Sequence, residues 1–134
     1  LSERICQRFK YIFQGFIAGD ASLEAYQRSI PEHRLNYAVS IKPVESFNLQ
    51  AMVHYRGSSN WIMYDGAFAQ SNGLYHSQLK EFVSFDLVLQ KWFWRKKIRG
   101  DMFFRNILNE EIRYHPIGAA FDFSWFVQLE ITLN

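Results

Sequence analysis

Three segments in the second half of the chain alternate apolar and polar side chains so regularly that each has to form a pleated strand with one greasy face. Residues 82 to 90 put Val83, Phe85, Leu87 and Leu89 on one side and Ser84, Asp86 and Gln90 on the other. Ile98, Gly100, Met102 and Phe104 alternate with Arg99, Asp101, Phe103 and Arg105. The last segment sets Trp125, Val127, Leu129, Ile131 and Leu133 against Ser124, Gln128, Glu130 and Thr132. A period of two is the geometry of a strand. A sheet built this way covers the core of a soluble sandwich, or it faces lipid from a barrel with a polar lumen. Alternation alone does not choose between them.

The same pattern recurs upstream. Residues 8 to 18 alternate Phe9, Tyr11, Phe13, Gly15 and Ile17 with Arg8, Lys10, Gln14 and Ala18, with Ile12 and Phe16 intruding on the second face. Gly19 to Glu32 carries turn formers and reads as a long loop with room for a helical turn at Leu23 to Gln27. From Arg34, the residues Leu35, Tyr37, Val39 and Ile41 share one face and Arg34, Asn36, Ser40 and Lys42 the other. Pro43 then interrupts the run, because it has no N–H to give a ladder and presets a turn. Phe47, Leu49, Ala51, Val53 and Tyr55 form the apolar face of the next strand, which Trp61 to Tyr64 could prolong. Asp65-Gly66 and Asn72-Gly73 mark turns in the long connection that follows, residues 58 to 78. A short turn at 91 to 96 and a long loop at 107 to 122 separate the last three strands. The predicted fold is all-β: an antiparallel meander of about six strands.

Antiparallel neighbours alternate direction, so the sequence of long and short connections puts every long loop at one end of the sheet and every short turn at the other. Outer-membrane barrels show this asymmetry. Trp92, Phe93 and Trp94 fall at the short-turn end and Tyr55 and Trp61 at the other, where interfacial rings would sit. Composition excludes other classes. A net charge of +2, with basic residues scattered, gives no footprint for nucleic acid. The single cysteine, Cys6, permits no internal disulfide. No apolar run reaches the roughly eighteen residues of a transmembrane helix, whereas a transmembrane strand needs only about nine to eleven. The chain starts at Leu1 without initiator Met or signal segment and reads as part of something longer.

Residues 105 to 118, Arg-Asn-Ile-Leu-Asn-Glu-Glu-Ile-Arg-Tyr-His-Pro-Ile-Gly, followed by Phe123 and a terminal strand, resemble the C-terminal end of TonB-dependent outer-membrane receptors. Asn106-Ile107-Leu108-Asn109 matches that family's Asn-Leu-(Leu/Phe)-(Asn/Asp) segment with Ile in the first apolar place. Ile30-Pro31-Glu32-His33-Arg34 is similar to the Pro-x-His segment that opens a strand in these receptors, and Tyr55-Arg56-Gly57 to a strand exit. The ending, Ile131-Thr132-Leu133-Asn134, departs from the family's usual terminal aromatic. The resemblance implies that residues 1–134 are the C-terminal part of a large barrel in the bacterial outer membrane. Such barrels have about 22 strands, so this would be roughly a quarter of one. It implies outer-membrane lipid, the rest of the barrel, a plug domain and the TonB energy-coupling complex as partners, no cofactor and no nucleic acid. The ligand would be small, extracellular and scarce, of ferric siderophore, cobalamin or glycan type.

On that reading Leu35, Tyr37, Val39, Ile41, Leu49, Val53, Val83, Phe85, Leu87, Leu89, Trp125, Val127, Leu129, Ile131 and Leu133 face the membrane. Candidate ligand contacts are the loop residues Tyr64, Tyr75, His76, Arg113, Tyr114 and His115, with loop-to-loop packing as their plainer role. Asp86, Asp101 and Glu130 could approach one another, but Arg99 and Arg105 make cross-strand charge pairing the simpler expectation. Neither a catalytic triad order nor a phosphate loop is present, and the four histidines lie in separate segments, so neither an enzyme nor a metal site is expected. The alternatives are a soluble β-sandwich or lipocalin-like module, and a segment of a porin-like channel.

Overall fold

The computed structural model describes residues 4–15, 27–70 and 76–133. Among them, six strands form one antiparallel sheet: β1 (Ile5–Phe13), β2 (His33–Val44), β3 (Phe47–Arg56), β6 (Phe82–Phe93), β7 (Ile98–Arg105) and β8 (Ser124–Ile131). Their order in the sheet is β1-β2-β3-β6-β7-β8, so every ladder joins strands consecutive within the sheet. A two-stranded sheet, β4 (Ser59–Asn60) with β5 (Gln78–Leu79), a 3-10 turn (Ile62–Tyr64) and a six-residue helix α1 (Asp65–Gln70) occupy the connection between β3 and β6. The all-β meander expected from the alternation is present; the sheet is open, with β1 and β8 at its edges.

Register carries the single-strand patterns across the sheet. Val39 lies opposite Ala51, Ala51 opposite Leu87, Leu87 opposite Phe104, and Phe104 opposite Trp125. Directly opposite residues share a face, so the apolar sides of six strands merge into one surface. Among the described residues no helix or second sheet packs on it, since the sheet's strands contact only their ladder neighbours. Leu129 is 69% exposed and Phe9 65%, while Leu35, Val53 and Leu87 are half-shielded by flanking side chains alone. Among the described residues, the buried Leu79 and Ile112 belong to β5 and a loop. Gln7 falls on the apolar face, and the Tyr37 hydroxyl donates to its Oε1 at 3.1 Å, which lowers the cost of a polar group there.

The long connections, 14–32, 57–81 and 106–123, all leave one end of the sheet, and the turns at 45–46 and 94–97 close the other. Several local expectations need correction. β1 starts three residues earlier than predicted and stops at Phe13, so Gln14 and Gly15 are not strand; residues 16–18 of that predicted strand, the predicted helical turn at 23–27 up to residue 26, and Asn72-Gly73 lie outside the described residues. Pro43 does not end β2: an irregularity between Ile41 and Val44 absorbs it, and the turn is Glu45-Ser46. Trp61 to Tyr64 does not prolong β3, because Trp61 donates its N–H to Ser77 and the chain winds into the 3-10 turn. Asp65-Gly66 opens α1, where the aspartate favours the helix start.

The predicted turn at 91–96 also moves, to 94–97, since β6 runs on through Phe93. Trp94, Arg95 and Lys96 there have φ of 40°, 54° and 65°. Left-handed backbone costs a side-chain-bearing residue about 1 kcal/mol or more. Arg95→Gly should therefore stabilise the folded sheet by about 0.5–1 kcal/mol, read as a higher urea midpoint with an unchanged slope.

Candidate functional site

The opposite face of the sheet is polar and hollowed. Two cross-strand rows make its floor. Asn48, Gln90, Asp101 and Gln128 lie side by side on β3, β6, β7 and β8, and the next row toward the long loops is Gln50, Val88, Phe103 and Phe126. Phe103 and Phe126 stack with centroids 4.3 Å apart and planes 12° from parallel. Their position on the wet face follows from register, and Phe126 is a residue that alternation did not single out. A third row holds Met52 opposite Asp86, and a fourth His54 opposite Ser84.

Charge on this face is largely spent internally. Arg99 donates from Nε to Asp101 Oδ2 at 3.1 Å and from Nη2 to Glu130, directly opposite, at 2.6 Å. That is the pairing expected of Arg99. Arg105 differs: its guanidinium stands 5.4 Å from the Phe126 centroid. Trp92 also faces this side, under Arg99 at 5.4 Å, so it is not part of an outward girdle. On the apolar face Phe47 and Phe93 lie toward the short-turn end, and Tyr11, Phe13, Tyr55 and Trp125 toward the long-loop end.

The loop 106–123 folds inward over one end of the hollow, and Asn106 holds it there. Asn106 is 4% exposed and has φ of 51°, a left-handed turn that asparagine tolerates better than most residues. Its N–H donates to Asp86 Oδ1 at 2.9 Å, its Nδ2 to the carbonyls of Glu110 and Phe121, and its Oδ1 accepts from the Glu110 N–H. The other Asp86 oxygen lies 3.5 Å from His54 Nε2, and His54 Nδ1 lies 2.7 Å from Asn36 Oδ1. A chain of polar groups thus runs from β2 through β3 and β6 to the loop. Ile112 bridges to Phe121 above it. The half-open hollow, about 770 Å³, is bounded by this floor and by Ile112, Tyr114, Phe121 and Asp122 of the loop.

The predicted loop contacts divide among three places. Tyr114 turns inward: its ring meets Phe82 at 5.4 Å and Phe121 at 5.7 Å edge-on, and Arg56 caps it from 5.4 Å while donating to its carbonyl. Tyr64 and His115 come together with Trp61, His115 lying 4.5 Å from Trp61 and 5.4 Å from Tyr64, so they tie one long loop to another. The Ile117 N–H donates to His115 Nδ1 at 3.2 Å. His76 and Arg113 line a separate hollow of about 530 Å³ beside Glu110 and Glu111. Arg113 is occupied there by Glu111 at 2.8 Å and by the Gly118 carbonyl. Tyr75 lies outside the described residues. The five described ones do not form one site. Asn106 and the Phe103–Phe126 pair, which the sequence did not flag, define the larger hollow more than any of them.

Burial pushes the Tyr114 phenol above the ordinary tyrosine value. The docked loop therefore keeps its full stability below that ordinary value and loses it as pH rises through the range between the undocked and docked values. In an alkaline absorbance titration, Tyr114→Phe should remove a tyrosine that ionises above the ordinary tyrosine value. Among the described residues, no group of three or more His, Cys, Asp or Glu side chains is placed to hold a metal ion, and no helix is long and apolar enough to cross a membrane.

Comparison with protein-family models, with curated proteins and with solved structures finds no match to this chain.

Proposed function

We propose that this chain is a section of the wall of a bacterial outer-membrane β-barrel, the C-terminal part of a TonB-dependent receptor that takes up a scarce extracellular ligand. One observation carries the reading: the uncovered apolar face that continues across all six strands, backed by a polar, hollowed face. Each Val, Leu or Phe left against water forgoes about 1.5–3 kcal/mol of burial, so such a surface needs an apolar medium. Strands of 8 to 12 residues match the span of a bilayer crossed at a tilt. Loops gathered at one end and rings near both ends of the apolar face add to it. Edge strands β1 and β8 present unpaired backbone, which further barrel strands would satisfy. A self-contained sandwich or lipocalin-like module would have its greasy side covered. The inward-folded loop 106–123 also suits a porin-like channel that needs no plug, since it narrows the space beside the wall.

Spin labels at each position from 84 to 89, on a Cys6→Ser background in outer-membrane vesicles, test the reading. Labels at 85, 87 and 89 should be reached by dissolved oxygen, and those at 84, 86 and 88 by a water-soluble relaxant. Labels at 85, 87 and 89 shielded from both would mean a dry protein interior, and the barrel reading would fall. Energy coupling separates receptor from channel: uptake that persists after the proton gradient is collapsed favours the channel.

A further inference from the structure

We propose that the hollow over the polar face is a binding site for a neutral, polyhydroxylated ligand of oligosaccharide type. This deepens the barrel reading and rests on it, since the face must look into a water-filled lumen to be reached.

Asp101 is the first ground. It is 4% exposed, its Oδ2 takes the Arg99 Nε–H, and its Oδ1 has no hydrogen-bond partner although the residue lines the hollow. A buried carboxylate oxygen left unpaired is costly, and a turn of the Asp101 side chain that opens it to the hollow would let a ligand hydroxyl donate to it. Its row neighbours Gln90 and Gln128 add amides that both donate and accept, which suits hydroxyl groups and does not select for charge. Immediately beside that row, the stacked rings of Phe103 and Phe126 offer an apolar ledge. Aromatic carbon next to amide and carboxylate complements a sugar, whose C–H face and hydroxyl rim lie side by side. A volume of about 770 Å³ is large enough for several sugar units.

The charges point away from an anionic chelate. The two arginines lining the hollow are engaged, Arg99 with Asp101 and Glu130 and Arg105 with the Phe126 ring. Asp86, Asp101 and Asp122 line the same space and would repel a negative ligand. No lysine lines it.

The test uses the protein in outer-membrane vesicles, with fluorescently labelled maltohexaose and cellohexaose and a ferric tris-catecholate as probes. Saturable binding of at least one hexaose, and none of the chelate, is expected. Asp101→Asn and Gln128→Leu should each weaken it about tenfold, the loss of one hydrogen bond to a charged or amide partner, while Leu89→Ala on the opposite face leaves it unchanged. Heat-dependent gel mobility verifies that each variant is folded, and Gln128, on an edge strand, serves if Asp101→Asn fails that check. Binding of the chelate alone, no saturable sugar binding, or unaltered affinity in the folded variants would overturn the site. If the oxygen and relaxant pattern at 84–89 holds while sugar binding is absent, this inference fails and the barrel reading stands; if that pattern is lost, both fall.

Discussion

Arginine at Leu87 should destabilise the membrane-inserted protein by about 2–4 kcal/mol, whereas arginine at Val88, one residue along the same strand, should change it by less than about 1 kcal/mol. The two positions lie midway along β6 at the same depth and differ only in face. Leu87 belongs to the row with Ala51 and Phe104, and Val88 to the row with Gln50 and Phe103. In the proposed barrel wall a guanidinium on the first side would be carried into hydrocarbon, while on the second it would reach water. Urea titrations in vesicles, followed by the folded and unfolded gel bands, give both values. Equal costs at the two positions would mean that the faces do not see different media.

Asn106→Ala should release the loop 106–123 from the sheet while leaving the six-stranded ladder intact. The substitution removes three side-chain hydrogen bonds and leaves in a left-handed turn a residue without the polar side chain that makes it tolerable. At about 0.5–1.5 kcal/mol for each bond and about 1 kcal/mol for the backbone, docking should lose about 3–5 kcal/mol. Hydrogen exchange at the amides of Ile112 and Phe121, which bond to each other's carbonyls, reads this directly. Those two should lose protection by about two to four orders of magnitude, corresponding to that energy, and the amide of Gln50 in mid-sheet should not change. Asn106→Gly separates the two contributions, since glycine keeps the turn and loses only the bonds. Protection retained in the alanine variant would show that Ile112 and Tyr114 hold the loop by packing.

Most of the sheet could be read in advance because its physics is local. In β2, β3, β6, β7 and β8 the side chain at each position reports its own face, and register follows once two apolar faces must coincide. Where the reading slipped, a residue served two patterns. Ile12 and Phe16 blurred the period of β1, and Trp61-Ile62-Met63-Tyr64 is an apolar run that fits a strand or a helical turn equally well. Pro43 looked like a terminator because its effect depends on whether the partner strand offers an irregularity, which only the pairing reveals. The hollow was harder to foresee. Asp101 and Gln128 were visible as polar-face residues, yet their neighbourhood arises from three separate ladders, and Phe126 was silent because one aromatic on a wet face breaks no rule. Asn106 lay inside a segment noticed for its resemblance to a receptor family. Nothing in its spacing announced that its side chain bonds to Glu110 and Phe121.

The connectivity of the sheet bears on how such a wall is made. Because each strand is laddered only to strands before and after it in chain order, no partner has to wait for a distant part of the polypeptide. Growth can proceed by stitching on one hairpin after another, β2 with β3 and then β6 with β7, each addition presenting a fresh rim to the next. In the barrel proposed above, the rims left at β1 and β8 would be the growing points of the assembly, and whatever seals them would complete it.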